Sequence, residues 1–88
     1  MKIEFLKQFS KDIDKISSPV VKKSILNLIE EPEAADSIRN IRNLKKIVGF
    51  KTAYRIKLGQ YRIGFFIEKN GVQLARVAHW KDIYRLFP

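Results

Sequence analysis

Five side chains in the C-terminal half have the types and spacing to handle a phosphodiester: Arg55, Lys57, Arg62, His79 and Tyr84. Arg55 and Lys57 are two residues apart, the spacing that puts both on one face of a β-strand. If Leu58 and Tyr61 flank a two-residue turn at Gly59-Gln60, Lys57 stands opposite Arg62 and Arg55 opposite Gly64. Like charges directly across two strands repel, so an anion is expected between them. Cleavage of RNA through its own 2′-hydroxyl needs a base, a positive clamp for the pentacoordinate phosphate and an acid for the leaving 5′-oxygen. Arg, Lys, His and Tyr can supply all three. With one histidine, no cysteine and most acids in the other half, the sequence offers no metal constellation and implies no cofactor. Lys51, Arg76, Trp80, Lys81 and Arg85 extend the group as candidate RNA contacts.

Several of these positions have a second reading. Gly64 is either a shallow floor where a phosphate or base approaches the backbone, or a bulge or bend in its strand. A lone histidine is ordinarily a surface or satisfied core residue. At the end of a strand beside cations, however, His79 is also a candidate general base. Tyr84 and Trp80 either offer rings for base stacking or anchor the last helix to the sheet.

The charge is segregated along the chain. Of 18 Lys and Arg against 9 Asp and Glu, residues 1–36 hold six lysines and seven acids, a net of −1. Residues 37–88 hold twelve cations and only Glu68 and Asp82, a net of +10, and include every arginine. This points to a polyanion, nucleic acid before membrane, because no basic amphipathic helix with a wide apolar face accompanies it. The alternative is a basic surface kept for solubility, which usually mixes both signs.

The elements that must position these residues fit one domain over residues 1–88, since 45% hydrophobic residues are enough for a single core at this length. No apolar run is long enough for a membrane span and the start lacks a secretion signal, so a cytoplasmic protein is expected. Lys2–Phe5 reads as a short strand. Phe5, Phe9, Ile13 and Ile16 then mark one face of a helix ending near Ile16. Ser17-Ser18-Pro19 caps a second helix, with Val21, Ile25, Leu28 and Ile29 as its stripe, ending at Glu30-Glu31-Pro32. The acids of this half lie mostly off the stripes and read as solvated. Ala35 to Lys51 reads as a short helix or turn-rich connection.

From Ala53 the period becomes two: strands at 53–58 and 61–68 joined by Gly59-Gln60, a third from Val72 to about Ala78, and a short helix at Lys81–Leu86. A two-residue turn at Asn70-Gly71 sets Arg62 opposite His79, whereas pairing of Glu68 with Val72 brings Arg76 to the cationic face and moves His79 to the helix side. The periodicity leaves both registers open. The expected fold is α+β, ordered β-α-α-β-β-β-α. Two N-terminal helices pack on one face of a four-stranded antiparallel sheet, and the other face is left free.

The string from Ala53 to Phe66, AYRIKLGQYRIGFF, with the ending Ala78 to Arg85, AHWKDIYR, resembles the RelE/ParE superfamily of bacterial toxins. The superfamily pattern is roughly Y-R-[IV]-[RK]-[IV]-G-[DQ]-Y-R-[IV] followed by H-R-K-D-[IV]-Y. The resemblance implies a toxin of a type II toxin–antitoxin system: an endoribonuclease that cuts messenger RNA in the ribosomal A site without metal, with ribosomal RNA alongside. It implies Arg55, Lys57 and Arg62 as the phosphate-contacting group, His79 as base, and Tyr84 as the tyrosine that stacks on or positions the substrate. It also implies a cognate antitoxin whose C-terminal segment wraps the toxin; an acidic, partly disordered segment would suit the +10 half. The same scaffold carries DNA gyrase inhibitors that cut nothing, and a third reading is a catalytically weak RNA- or ribosome-binding homologue. Trp80 stands where the pattern has arginine. Losing one transition-state contact costs about 10²–10³ in rate, unless Arg76 or Arg85 substitutes.

Overall fold

The computed structural model describes residues 2–30, 44–69 and 71–88. In chain order its elements are β1 (Lys2–Phe5), α1 (Lys7–Asp14), α2 (Pro19–Glu30), β2 (Lys45–Lys46), β3 (Ala53–Leu58), β4 (Tyr61–Glu68), β5 (Gly71–His79) and α3 (Ile83–Leu86). Helix α2 forms where its apolar stripe falls, but α1 is shorter than expected: Phe5 lies in β1 and is half exposed, and Ile16 lies beyond the helix end. In α1, Phe9, Asp12 and Ile13 face inward at the three- and four-residue spacing of one helix side. At the start of α2 the Ser18 Oγ accepts the Val21 backbone N–H at 3.3 Å, and Pro19 occupies the first turn, where no N–H is needed. Among the described residues no helix is long and apolar enough to cross a membrane.

The sheet corrects the expected architecture in two respects. It has five strands in the order β1-β5-β4-β3-β2, and it is mixed, because β1 runs parallel to β5. The parallel pairing follows from the exit of β1: the Leu6 N–H donates to the Leu74 carbonyl, and the chain then enters α1, which lies along β5. The additional strand, β2, pairs Lys45 with Arg55 and Lys46 with Tyr54. Two residues are too short to show a period. Of the connection expected over Ala35 to Lys51, residues up to 43 lie outside the described residues. The remainder is β2 followed by a turn at Gly49, whose φ of +91° suits glycine.

Strands β3 and β4 pair as the spacing predicts, with Lys57 opposite Arg62, Arg55 opposite Gly64 and Leu58 opposite Tyr61. Gly59 has φ +60°, as the first central residue of a type II′ hairpin requires. Between β4 and β5, Glu68 pairs with Gly71, so the hairpin closes earlier than either expected register. A register shift follows between Gly64 and Phe65: Phe65 pairs with Leu74 but Gly64 with Arg76, leaving Ala75 as the extra residue of a bulge. Beyond it Arg62 faces Ala78 and Tyr61 faces His79. The site end therefore adopts the register that sends His79 to the helix side.

One core fills the space between that side and the helices, joining Phe9, Ile13, Ile25 and Ile29 to Ile56, Ile63, Phe65, Val72, Leu74 and Val77. The opposite face is not free, contrary to expectation. Ile83 and Phe87, from α3 and the residue that follows it, pack on Ala53 and Ala75, with Leu6, Ile47, Phe66 and Ala78 around them. The small residues there make room: a Cβ on Gly64 would lie 2.5 Å from Phe87 Cδ2. The Gly64 floor is thus occupied by the Phe87 ring and is not open to a phosphate or base. The C-terminal helix is also shorter than expected, with Trp80 to Asp82 forming a turn ahead of Ile83–Leu86.

Candidate functional site

The β3–β4 pairing places Arg55, Lys57 and Arg62 on the face opposite α1 and α2, as the sequence predicts. The β2–β3 pairing adds Lys45 beside Arg55, a cation that sequence reasoning missed. Its only signal was the Lys45-Lys46 pair in a stretch without clear period. Tyr84 completes the group. Ile83 anchors α3 in the second core, which leaves the next side chain, Tyr84, outward and 60% exposed. The Arg55 Nε–H donates to the Tyr84 hydroxyl oxygen at 2.8 Å, and neither Nη group is bonded among the described residues, so both can face an anion. Lys45, Lys46, Ile47, Val48, Arg55 and Tyr84 line one cleft of about 190 Å³.

Arg62 is partly engaged, its Nη1 donating to the Gly59 and Tyr61 carbonyls at 2.9 Å each. It therefore holds the β3–β4 turn as well as charging the face. Lys57 is exposed and makes no hydrogen bond to the described residues. Together these side chains form a row of positive charge running from β2 to β4, with a tyrosine ring at one end. Such a row can neutralise a phosphate backbone and present a flat surface to a base.

His79 does not join this group. It pairs with Tyr61 on the helix side, ring edge to ring face at 6.1 Å between centroids. The Lys81 backbone N–H points at His79 Nδ1 at 3.3 Å, which assigns the proton of a neutral ring to Nε2, 2.9 Å from the Gln60 Oε1. Held this way, His79 donates through Nε2 and accepts through Nδ1, so the base expected from the sequence would have to give up the Lys81 N–H or change tautomer.

The remaining sequence candidates divide. By register Arg76 lies opposite Gly64, but its guanidinium reaches Asp12 on α1, with Nε to Oδ2 at 2.7 Å and Nη2 to Oδ1 at 3.2 Å. Asp12 Oδ2 also accepts the Val77 backbone N–H at 3.1 Å, standing in for a neighbouring strand where β1 has ended. Arg76 is therefore tied into the fold, and Asp12, expected to be solvated, is buried. Trp80 and Tyr84 do not anchor the last helix; Ile83 and Phe87 do. Trp80 is 48% exposed and has the Lys81 ammonium 5.7 Å from its ring centroid. Arg85 is exposed and paired with Asp82 at 3.1 Å. Lys51 is exposed in the β2–β3 connection.

A five-stranded mixed sheet with helices α1 and α2 on one face, and a basic, tyrosine-bearing group on the other, has clear relatives. Toxin RelE3 of Methanocaldococcus jannaschii is 37% identical over 89 residues, covering all of both chains. The toxin in the crystal structure of the RelB–RelE antitoxin–toxin complex from Methanococcus jannaschii superposes with a TM-score of 0.78. It has 36% identity, over 97% of this chain and 99% of that one. The RelBE2 toxin–antitoxin complex of Mycobacterium tuberculosis shares the fold at a TM-score of 0.69, with 17% identity over 89% and 95% of the two chains. The family model for the ParE toxin of type II toxin–antitoxin systems, parDE, matches residues 3–84. The chain belongs to this family, within the RelE/ParE superfamily, and its full-length similarity is to a RelE toxin.

Proposed function

We propose that the protein is a toxin endoribonuclease that cuts messenger RNA in the ribosomal A site, using the RNA 2′-hydroxyl as nucleophile. One observation carries the reading: Arg55, Lys57 and Arg62 share one sheet face, joined by Lys45, and Arg55 bonds to the exposed Tyr84. The 2′-oxygen attacks the adjacent phosphorus as the bond from phosphorus to the 5′-oxygen breaks. The 2′ proton passes to a base, the 5′-oxygen gains a proton, and the products are a 2′,3′-cyclic phosphate and a 5′-hydroxyl. Phosphorus becomes five-coordinate with added negative charge on its equatorial oxygens, which the guanidinium and ammonium groups stabilise more strongly than they do the ground state. Tyr84, oriented by Arg55, positions the nucleotide. Lys51, Trp80, Lys81 and Arg85, all exposed, serve as further contacts to messenger or ribosomal RNA.

A cognate antitoxin partner fits the same reading, because the M. jannaschii RelE relative is seen in complex with RelB. An acidic segment would complement the basic C-terminal half. The second reading, inhibition of DNA gyrase without nuclease activity, is favoured by the ParE description of the matching family. The two separate on purified ribosomes programmed with a defined messenger RNA. The nuclease reading predicts cuts ending in 2′,3′-cyclic phosphate, about 10²–10³-fold slower in Arg62→Ala. Because Arg62 also holds a turn, Arg55→Ala serves as the second variant and should show a comparable loss. Intact messenger RNA together with inhibited supercoiling by gyrase would contradict the nuclease reading.

A further inference from the structure

The connection from β2 to β3 exposes apolar side chains where a turn selected for stability alone would be polar. Val48 is 94% exposed and Phe50 49% exposed, on either side of Gly49. The turn is built rather than frayed. The Phe50 N–H donates to the Ile47 carbonyl, the Ile47 N–H to the Ala53 carbonyl, and Ile47 itself packs into the second core. Exposed Lys45, Lys46 and Lys51 surround the apolar tip. Apolar surface set among cations suits a ligand with apolar faces and a polyanionic backbone, which describes single-stranded nucleic acid.

The tip is also continuous with the site above. Val48 forms one wall of the cleft of about 190 Å³ whose other walls include Tyr84 and Arg55. From this we infer that Val48 is a specificity-determining contact. A base of the RNA enters the cleft between Val48 and Tyr84, while Lys45 and Arg55 take the flanking phosphates. The inference rests on the RNA reading and deepens it, by naming a residue that senses the base itself rather than the backbone. An acidic, apolar peptide is the competing occupant. Nucleic acid is favoured because the cleft already holds the aromatic ring and guanidinium that base and phosphate each require.

The test is fluorescence-anisotropy binding at about 50 mM salt, where phosphate contacts are strong. The probes are a labelled 2′-O-methyl RNA hexamer, which cannot be cut by its own 2′-hydroxyl, and the same backbone lacking its bases. The wild-type protein should prefer the hexamer with bases about tenfold. Val48→Ser should reduce that preference to about twofold while leaving affinity for the abasic backbone unchanged. Val20→Ser, altering another exposed valine on α2, should change neither. Arg55→Ala should weaken both probes. An undiminished preference in Val48→Ser overturns the inference, as does a wild-type protein that does not distinguish the probes. So does a Val48→Ser protein that loses affinity only for a glutamate-rich helical peptide. The nuclease reading stands or falls separately, on cleavage of ribosome-bound messenger RNA.

Discussion

In the proposed reading, Tyr84 serves the site while Asp12 serves the fold. Tyr84 is exposed, and its one described bond is to Arg55, so its removal should cost the fold little and the site much. Tyr84→Phe keeps the ring but loses the acceptor for the Arg55 Nε–H. On programmed ribosomes we expect cleavage to fall about tenfold, equivalent to one charge-assisted hydrogen bond weakened by exposure, with the urea midpoint unchanged. Asp12 is the opposite case. It is 6% exposed and satisfies both the Arg76 guanidinium and the Val77 N–H. Asp12→Ala leaves a mostly buried arginine and a strand-edge donor unpaired. We expect a loss of about 2–3 kcal/mol in urea denaturation, below the usual cost of breaking a fully buried pair because Arg76 keeps some contact with water.

At the scale of elements, α3 carries the site because the sheet gives it a seat. Gly64 leaves the space that Phe87 fills, and Ile83 fixes the turn from which Tyr84 projects. Gly64→Ala would drive a methyl into the Phe87 ring, so we expect it to cost about 1–2 kcal/mol and to slow cleavage by displacing Tyr84. Combining it with Phe87→Ala should remove most of the clash, making the double variant less destabilised than the sum of the singles, as a thermodynamic cycle would measure. The same elements explain what the sequence could tell. The alternation in Ala53–Leu58 and Tyr61–Glu68 fixes face and register, so the row of Arg55, Lys57 and Arg62 was legible. β2 was not, because two residues carry no period. The direction of β1 was hidden because a four-residue strand pairs equally well by pattern in either sense. The position of His79 depended on the bulge at Ala75, which periodicity does not reveal. The covering of the second face was missed for a different reason: small residues at Ala53, Gly64 and Ala75 carry no apolar stripe of their own, yet together with Ile83 they seat Phe87.

Over the whole molecule, charge and architecture agree. The acids lie mainly in the half that contributes α1 and α2, while the +10 half supplies the sheet from β2 to β5 and α3. Lys45, Arg55, Lys57 and Arg62 thereby gather across the sheet from the helical layer, where a long polyanion can meet several of them at once. The central claim is that this face cuts translated messenger RNA. The most direct measurement is primer extension on one transcript after induced expression in a bacterial host, comparing a translated copy, a copy without its start signals, and the Arg55→Ala, Lys57→Ala double variant. We expect cuts at in-frame positions of the translated copy only, lost in the variant while the protein remains folded. Growth arrest with no cuts in the translated copy, or cuts that persist in the variant, would contradict it.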